Sequence, residues 1–218
     1  MDILFLSKTP LFNGITVEEI AGMLACLDAH ERPYKKNAII YHAGDKVQSM
    51  GLVLSGGVNL ESFDFDGRKS ILGSVQPGQL FAETYACIPD EPLMVNVTAS
   101  VQSNILFLNA QRMFTMCKNA CAYHTKLIRN LLSISAQKNL SLSHRILHTS
   151  PRTIRERVEA YLSFQSQREG SRSFSIPFDR QQFADYLNVD RSALSHELGK
   201  MEEEGLIKAV KNQFTLLN

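Results

Sequence analysis

Arg191, Ser192, Ser195 and His196 are four hydrogen-bonding side chains packed into six residues. On a helix this spacing places them together on its outer surface near the leading end. A guanidinium can bond a guanine edge through two parallel N–H groups, and a serine hydroxyl can serve several bases. An imidazole can donate to a base or a phosphate. The chemistry expected of this set is recognition of base-pair edges in duplex DNA.

Such a set works only on a stiff element that enters a groove, and the flanking residues supply one. Asp190 caps a helix that carries Leu194, Leu198 and Met201 on its inner side, and Gly205 ends it. Ahead of it, Asp179 and Gln182 form a capping-box pattern for a shorter helix with Phe183, Ala184 and Leu187 inward. Asn188-Val189-Asp190 leaves room only for a tight turn, and asparagine tolerates the left-handed backbone such a turn needs. Helices crossing through a short turn need a small residue where they touch, and Ala184 provides it. Val189 and Leu194 fill the angle between them. This is the pattern of a helix-turn-helix whose second helix lies in the major groove.

Leu206–Val210 and Phe214–Leu217 flank Lys211-Asn212 as a hairpin, and Ser173–Ile176 can add a third strand. The result is a winged helix-turn-helix. Lys208 and Lys211 on the wing, with Arg180 at the start of the first helix, are the expected phosphate contacts. Helix N-termini add to that attraction.

Upstream, a long helix is expected from about Cys121 to Leu147. At 1.5 Å per residue its 26 or so residues make a rod of roughly 39 Å. Leu127, Leu131 and Ile134, at four-then-three spacing, suit a coiled-coil seam with a second copy. The same rod can instead serve as a core helix of the preceding domain. Lys118-Asn119 marks a break before it. Thr149-Ser150-Pro151 starts the next helix, with Pro at the first position, and Ile154, Val158, Tyr161 and Leu162 mark its buried side.

Near the N-terminus, Thr16 and Glu19 cap a helix with Ile20, Met23, Leu24 and Leu27 at helical spacing. From Arg32 to Leu108 short strands alternate with turns at Gly44-Asp45, Gly56-Gly57, Asp66-Gly67 and Pro77-Gly78. Turn signals about every ten residues indicate an antiparallel sandwich or barrel.

The 218 residues suit two modest domains, and 44% apolar residues suffice for a core in each. No segment approaches the roughly 20 apolar residues of a membrane span. No basic n-region precedes a long apolar run, so a cytoplasmic protein without a membrane partner is expected. Net charge is +1, and from Arg145 onward 11 Lys+Arg face 10 Asp+Glu. Overall basicity therefore does not argue for nucleic acid; local placement of charge does. Four cysteines, Cys26, Cys87, Cys117 and Cys121, are too few and too scattered for a disulfide framework.

Taken together, these stretches resemble the CRP/FNR family of bacterial transcription regulators over nearly the whole chain. The resemblance rests on Gly51-Leu-Val-Leu-Ser-Gly-Gly-Val58, Pro77-Gly-Gln-Leu-Phe-Ala-Glu83, the run Arg180–Leu198 and Met201-Glu-Glu-Glu-Gly-Leu-Ile207. It implies an α+β fold with an N-terminal antiparallel β-barrel of the cyclic-nucleotide-binding, jelly-roll type. A long central dimerisation helix and a C-terminal winged helix-turn-helix would follow. The expected division is 1–118 for the effector-sensing barrel, 119–148 for the dimerisation helix and 149–218 for the DNA-binding domain. The implied partners are double-stranded DNA, a second copy of the chain, and RNA polymerase.

The chain departs from the family where nucleotide-binding members hold their ligand. Those members carry Gly-Glu and, some ten residues on, Arg-Ser. Here Glu83 follows Ala82, and Leu93-Met94 stand at the Arg-Ser positions. A cyclic phosphate buried without a cation is costly, so cyclic AMP is not expected to bind in the family's usual manner. A different small effector would meet Phe81, Ala82, Glu83, Thr84, Leu93 and Met94. No cofactor is identified. Only Cys26 lies where iron–sulfur members cluster cysteines, and His144 and His148 share a helix face at a spacing that can bind metal. The family's recognition helix often carries Arg where His196 stands. Two other readings compete: a ligand-free structural barrel, and a cupin-like barrel enzyme or enzyme-regulatory subunit. The enzyme reading needs metal ligands on strands, and His42 is the single histidine between Arg32 and Leu108.

Overall fold

Residues able to cap helices or adopt a left-handed backbone recur along the chain, and they mark its element boundaries. The computed structural model describes residues 2–114 and 122–217. Cys117, Cys121 and the expected break at Lys118-Asn119 lie outside these.

The chain begins with α1 (Ile3–Ser7), a 3-10 turn (Pro10–Phe12) and α2 (Val17–Cys26). Thr16 and Glu19 form the expected capping box on α2. Strands follow: β1 (His30–Tyr34), β2 (Ile39–Tyr41), β3 (Ser49–Ser55), β4 (Val58–Phe63), β5 (Lys69–Val75) and β6 (Leu80–Phe81). After a short α3 (Glu83–Cys87) come β7 (Asn96–Ala99), β8 (Ser103–Asn109) and α4 (Ala110–Phe114). The strands form two antiparallel four-stranded sheets, β1-β8-β3-β6 and β2-β7-β4-β5. They make a roll of two packed sheets rather than one closed barrel.

Local chemistry fixes the hairpins. At the β4–β5 turn, the Asp64 carboxylate accepts from the Asp66 and Arg68 amides at 3.0 and 2.8 Å. Gly67 takes the left-handed position at φ 75°. Pairing of β4 with β5 shifts register between Leu60 and Glu61. Beyond it Glu61 is buried, with its carboxylate 3.0 Å from the Lys69 ammonium.

Two cores lie in this part of the chain. Between the sheets pack Val53, Val58, Val97, Ile105, Phe107 and Phe81. Under the N-terminal helices pack Leu6, Phe12, Ile20, Leu52 and Leu106, joined by the start of α5 (Ala122–Thr149). Leu127 and Leu131 are fully or almost fully buried in this second core, and Ile134 packs against it. Asn130 donates to the carbonyls of Leu11 and Asn13 at 2.9 and 2.8 Å. Side chains already enclosed by their own chain cannot interdigitate with a twin, so Leu127 and Leu131 fit the other expectation, a core helix of this domain, while Ile134 is only half-buried.

The remaining elements are α6 (Ile154–Glu169), β9 (Ser173–Ser175), α7 (Arg180–Leu187), α8 (Arg191–Glu203), β10 (Ile207–Val210) and β11 (Gln213–Leu216). The wing is a three-stranded sheet ordered β10-β11-β9. Val158, Tyr161, Phe183, Leu187, Leu194 and Phe214 centre its core. The start of α6 is not at Pro151 but three residues later. Thr153 is the cap, and the Glu156 carboxylate accepts from the Thr153 and Arg152 amides at 3.0 and 3.1 Å. A reciprocal box satisfies two orphan amides, whereas a Pro at the first position merely avoids one. The chain divides into two compact units, residues 1–136 and 137–218. Among the described residues no helix is long and apolar enough to cross a membrane.

Candidate nucleic-acid interface

The helix-turn-helix forms because the leading end of each helix is satisfied locally. Asp179 accepts from the Gln182 amide at 2.8 Å, and the Gln182 side chain returns the bond to the Asp179 amide at 2.9 Å. Asn188 ends α7 in the left-handed conformation, φ 54° and ψ 53°. Asp190 then caps α8, accepting from the amides of Ser192 and Ala193 at 2.8 and 3.0 Å. Those bonds hold its carboxyl below the usual range, the Ser192 hydroxyl contributing most.

Leu194, Leu198 and Met201 are buried, and Arg191, Ser192, Ser195 and His196 are exposed. The serine hydroxyls already donate: Ser192 to the Asp190 carboxylate and Ser195 to the Arg191 carbonyl. Their lone pairs remain to accept from a base amino group. Lys208 and Lys211 are exposed on the wing. Lys211 occupies the left-handed position of the β10–β11 turn at φ 55°. Arg180 is only half exposed. Its guanidinium carbon lies 5.9 Å from the centre of the Phe214 ring, and burial lowers its pKa.

Two further arginines hold the motif in shape. Arg155 on α6 donates to Glu197 at 2.6 Å and grips both oxygens of Glu204 at 2.6 and 2.8 Å, bracing α8. Arg157 donates to the carbonyls of Leu187 and Asn188, both at 3.1 Å, closing the open end of α7. Their helix-turn-helix partners stand 30 to 49 residues away in sequence, so no local spacing marks them. Gly199 is also unmarked. It lies inside α8 with open space where a Cβ would stand. A glycine there destabilises the helix by about 0.5–1 kcal/mol relative to alanine.

His148, in the last turn of α5, is buried, and its Nδ1 lies 2.8 Å from the Tyr186 hydroxyl of α7. Its ring meets Tyr161 and Phe164 edge-on at 5.2 and 5.1 Å. Burial holds its pKa below the ordinary imidazole value, with neighbouring His144 adding to the effect. The unfolded chain therefore takes up a proton first as pH falls through about 6.5. Stability present above that pH should decline below it. Melting curves between pH 7.5 and 5, above the range of the capping carboxylates, should show this decline flattened in His148→Gln. Equal pH slopes for the two proteins would refute the assignment. His144 and His148 stack with centroids 6.5 Å apart, but among the described residues no cluster of three metal-type ligands exists.

The six residues expected around an effector differ in burial. Phe81 and Leu93 are buried in the core between the sheets, with Ala82 packed against it. Glu83 is buried, whereas Thr84 and Met94 are exposed. Cavities of about 610, 250 and 230 Å³ occur elsewhere in the unit; the first is lined by Glu31, Pro33, Ser55, Gln102, Ser103 and Asn104. Cys26 and Cys87 are free thiols.

Comparison with known proteins bears on both units. Residues 31–120 match the cyclic nucleotide-binding domain family, and residues 156–218 match the Crp-like helix-turn-helix domain. The chain is 22% identical over 198 residues to Electron transport regulator A of Shewanella oneidensis, covering 86% of this chain and 74% of that one. It is 36% identical to the Cyclic AMP receptor protein of Thermus thermophilus over 75 residues, 34% of each chain. A solved structure of the Thermus thermophilus Catabolite Activator Protein shares the fold, with a TM-score of 0.52 at 21% identity. That match covers 95% of this chain and 93% of the other.

Proposed function

Because this chain belongs to the CRP/FNR family of transcription regulators, we propose that α8 reads the major groove of its operator through Arg191, Ser192, Ser195 and His196. The exposed leading end of α8, capped by Asp190 and backed by buried Leu194 and Leu198, carries this reading. Lys208, Lys211 and the half-exposed Arg180 contact phosphates.

The chain acts as a homodimer paired along α5, through a face other than the one first expected. Leu132, Leu140 and Leu147 are each more than half exposed. With Ala136 and Ser143 they occupy the side of the helix away from Leu127 and Leu131, at 3.6 residues per turn. Burying such a leucine is worth about 1.5–3 kcal/mol, and two copies can bury both stripes together. Two recognition helices then address half-sites about one DNA turn apart, near 34 Å. Residence in the cytoplasm and contact with RNA polymerase follow from the family as part of this proposal.

For the roll, burial of Phe81 and Leu93 between the sheets favours the second reading, a self-filled roll, over one that encloses cyclic AMP. Selection of bound duplexes from a random pool tests the main reading. A symmetric pair of half-sites is the expected product, and absence of any enriched sequence would end it. Against that operator, Lys211→Ala should weaken binding to all sequences alike. It should also lower the slope of affinity against salt by about one counterion. A base-specific loss in this variant would contradict the phosphate assignment.

A further inference from the structure

Gly199 has no evident reason, within the protein itself, to be glycine. Its φ is not left-handed, and, its chain neighbours and the surrounding helical backbone aside, no heavy atom lies within 4 Å of where a Cβ would stand. The fold would accept alanine here and gain from it. The position does have a place on the proposed DNA face. At about 100° per residue, Gly199 falls between Arg191 and His196 around the helix, one turn beyond Ser195. Leu194, Leu198 and Met201 occupy the other side. One turn further on stands Glu203, whose charge repels phosphate, so the track of the duplex leaves the helix after Gly199.

We propose that Gly199 is a specificity-determining position: its bare backbone lets duplex DNA approach α8 more closely than a side chain would allow. That approach brings the shorter Ser192 and Ser195 within reach of base edges. A serine reaches only one heavy atom beyond its Cβ, so a helix held outward by even a methyl group loses those contacts first. The inference rests on the assignment of α8 as the reading helix.

Gly22, inside α2, supplies a control, since it too has open space at its Cβ position and an ordinary φ. Full-length Gly199→Ala, Gly199→Leu, Gly22→Ala and Arg191→Ala would be melted and titrated with the selected operator duplex. Both alanine replacements of glycine should raise the melting temperature by about 1–4 °C. Gly199→Ala should lose about tenfold in affinity and Gly199→Leu more, as expected of an overfilled contact. Gly22→Ala should bind as the parent does. If both Gly199 variants bind within twofold of the parent while Arg191→Ala is impaired, the proposal fails and the assignment of α8 stands. If Arg191→Ala is also unimpaired, both fail. A lower melting temperature in Gly199→Ala would overturn the proposal as well, because the methyl group would then be harming the helix rather than the contact.

Discussion

Replacement of Arg191 by alanine is expected to cost about 1–3 kcal/mol of operator affinity, concentrated at one base position where sequence preference relaxes. Arg191 is the first residue of α8 and is exposed. Among the four reading side chains it alone offers a fork of donors matched to a guanine edge. Its loss leaves the fold untouched, because the cap is formed by the Asp190 side chain and the Ser192 and Ala193 amides. The melting temperature should hold while the binding profile changes. Profiles measured on every single-base variant of the operator would check this. A uniform loss across all positions would instead place Arg191 on a phosphate, and no loss would remove it from the interface.

The largest stability effect is expected at Phe81. It is 2% exposed, lies in the core between the sheets, and meets Tyr41 with ring centroids 6.3 Å apart. Its ring also occupies the space where a Cβ on Gly51 would stand, which explains a glycine in the middle of β3. Truncation to alanine removes the ring from a site that can collapse only partly, a change that costs about 3–5 kcal/mol. Denaturant unfolding followed through the first unit should show it as a lowered midpoint with an unchanged slope. A loss below about 1 kcal/mol would mean that the roll tolerates an empty centre, and the self-filled reading would lose its support.

These two sites differ in how visible they were beforehand. The helix-turn-helix is legible because its determinants are local. Each cap acts on an amide two or three residues away, the turn needs one left-handed residue, and Asn188 supplies it. The inner apolar set then follows from helical period alone. Gly199 escaped because a helix-breaking residue inside a clear helical pattern gives no hint of which side it faces.

The ligand region was less legible. Leu93 and Met94 are adjacent, yet one is 3% and the other 78% exposed. The sequence marks both as apolar, and only the path of the chain between α3 and β7 turns one inward and the other to solvent. The start of α6 offered two overlapping signals, at Pro151 and at Thr153, and the reciprocal bonds with Glu156 decided between them.

The long helix shows the division most clearly. The amino-acid sequence alone determined that α5 is a helix and that it carries leucines. It could not assign their roles, because leucines stand on opposite sides of the rod, Leu127 and Leu131 on one and Leu132 and Leu140 on the other. Periodicity reports the spacing along an element, whereas burial depends on what lies across from it. The partners of Leu127 and Leu131, residues such as Leu6 and Phe12, are more than a hundred positions away in the chain. Only tertiary packing brings them together, as it brings Arg157 to the end of α7 and His148 to Tyr186.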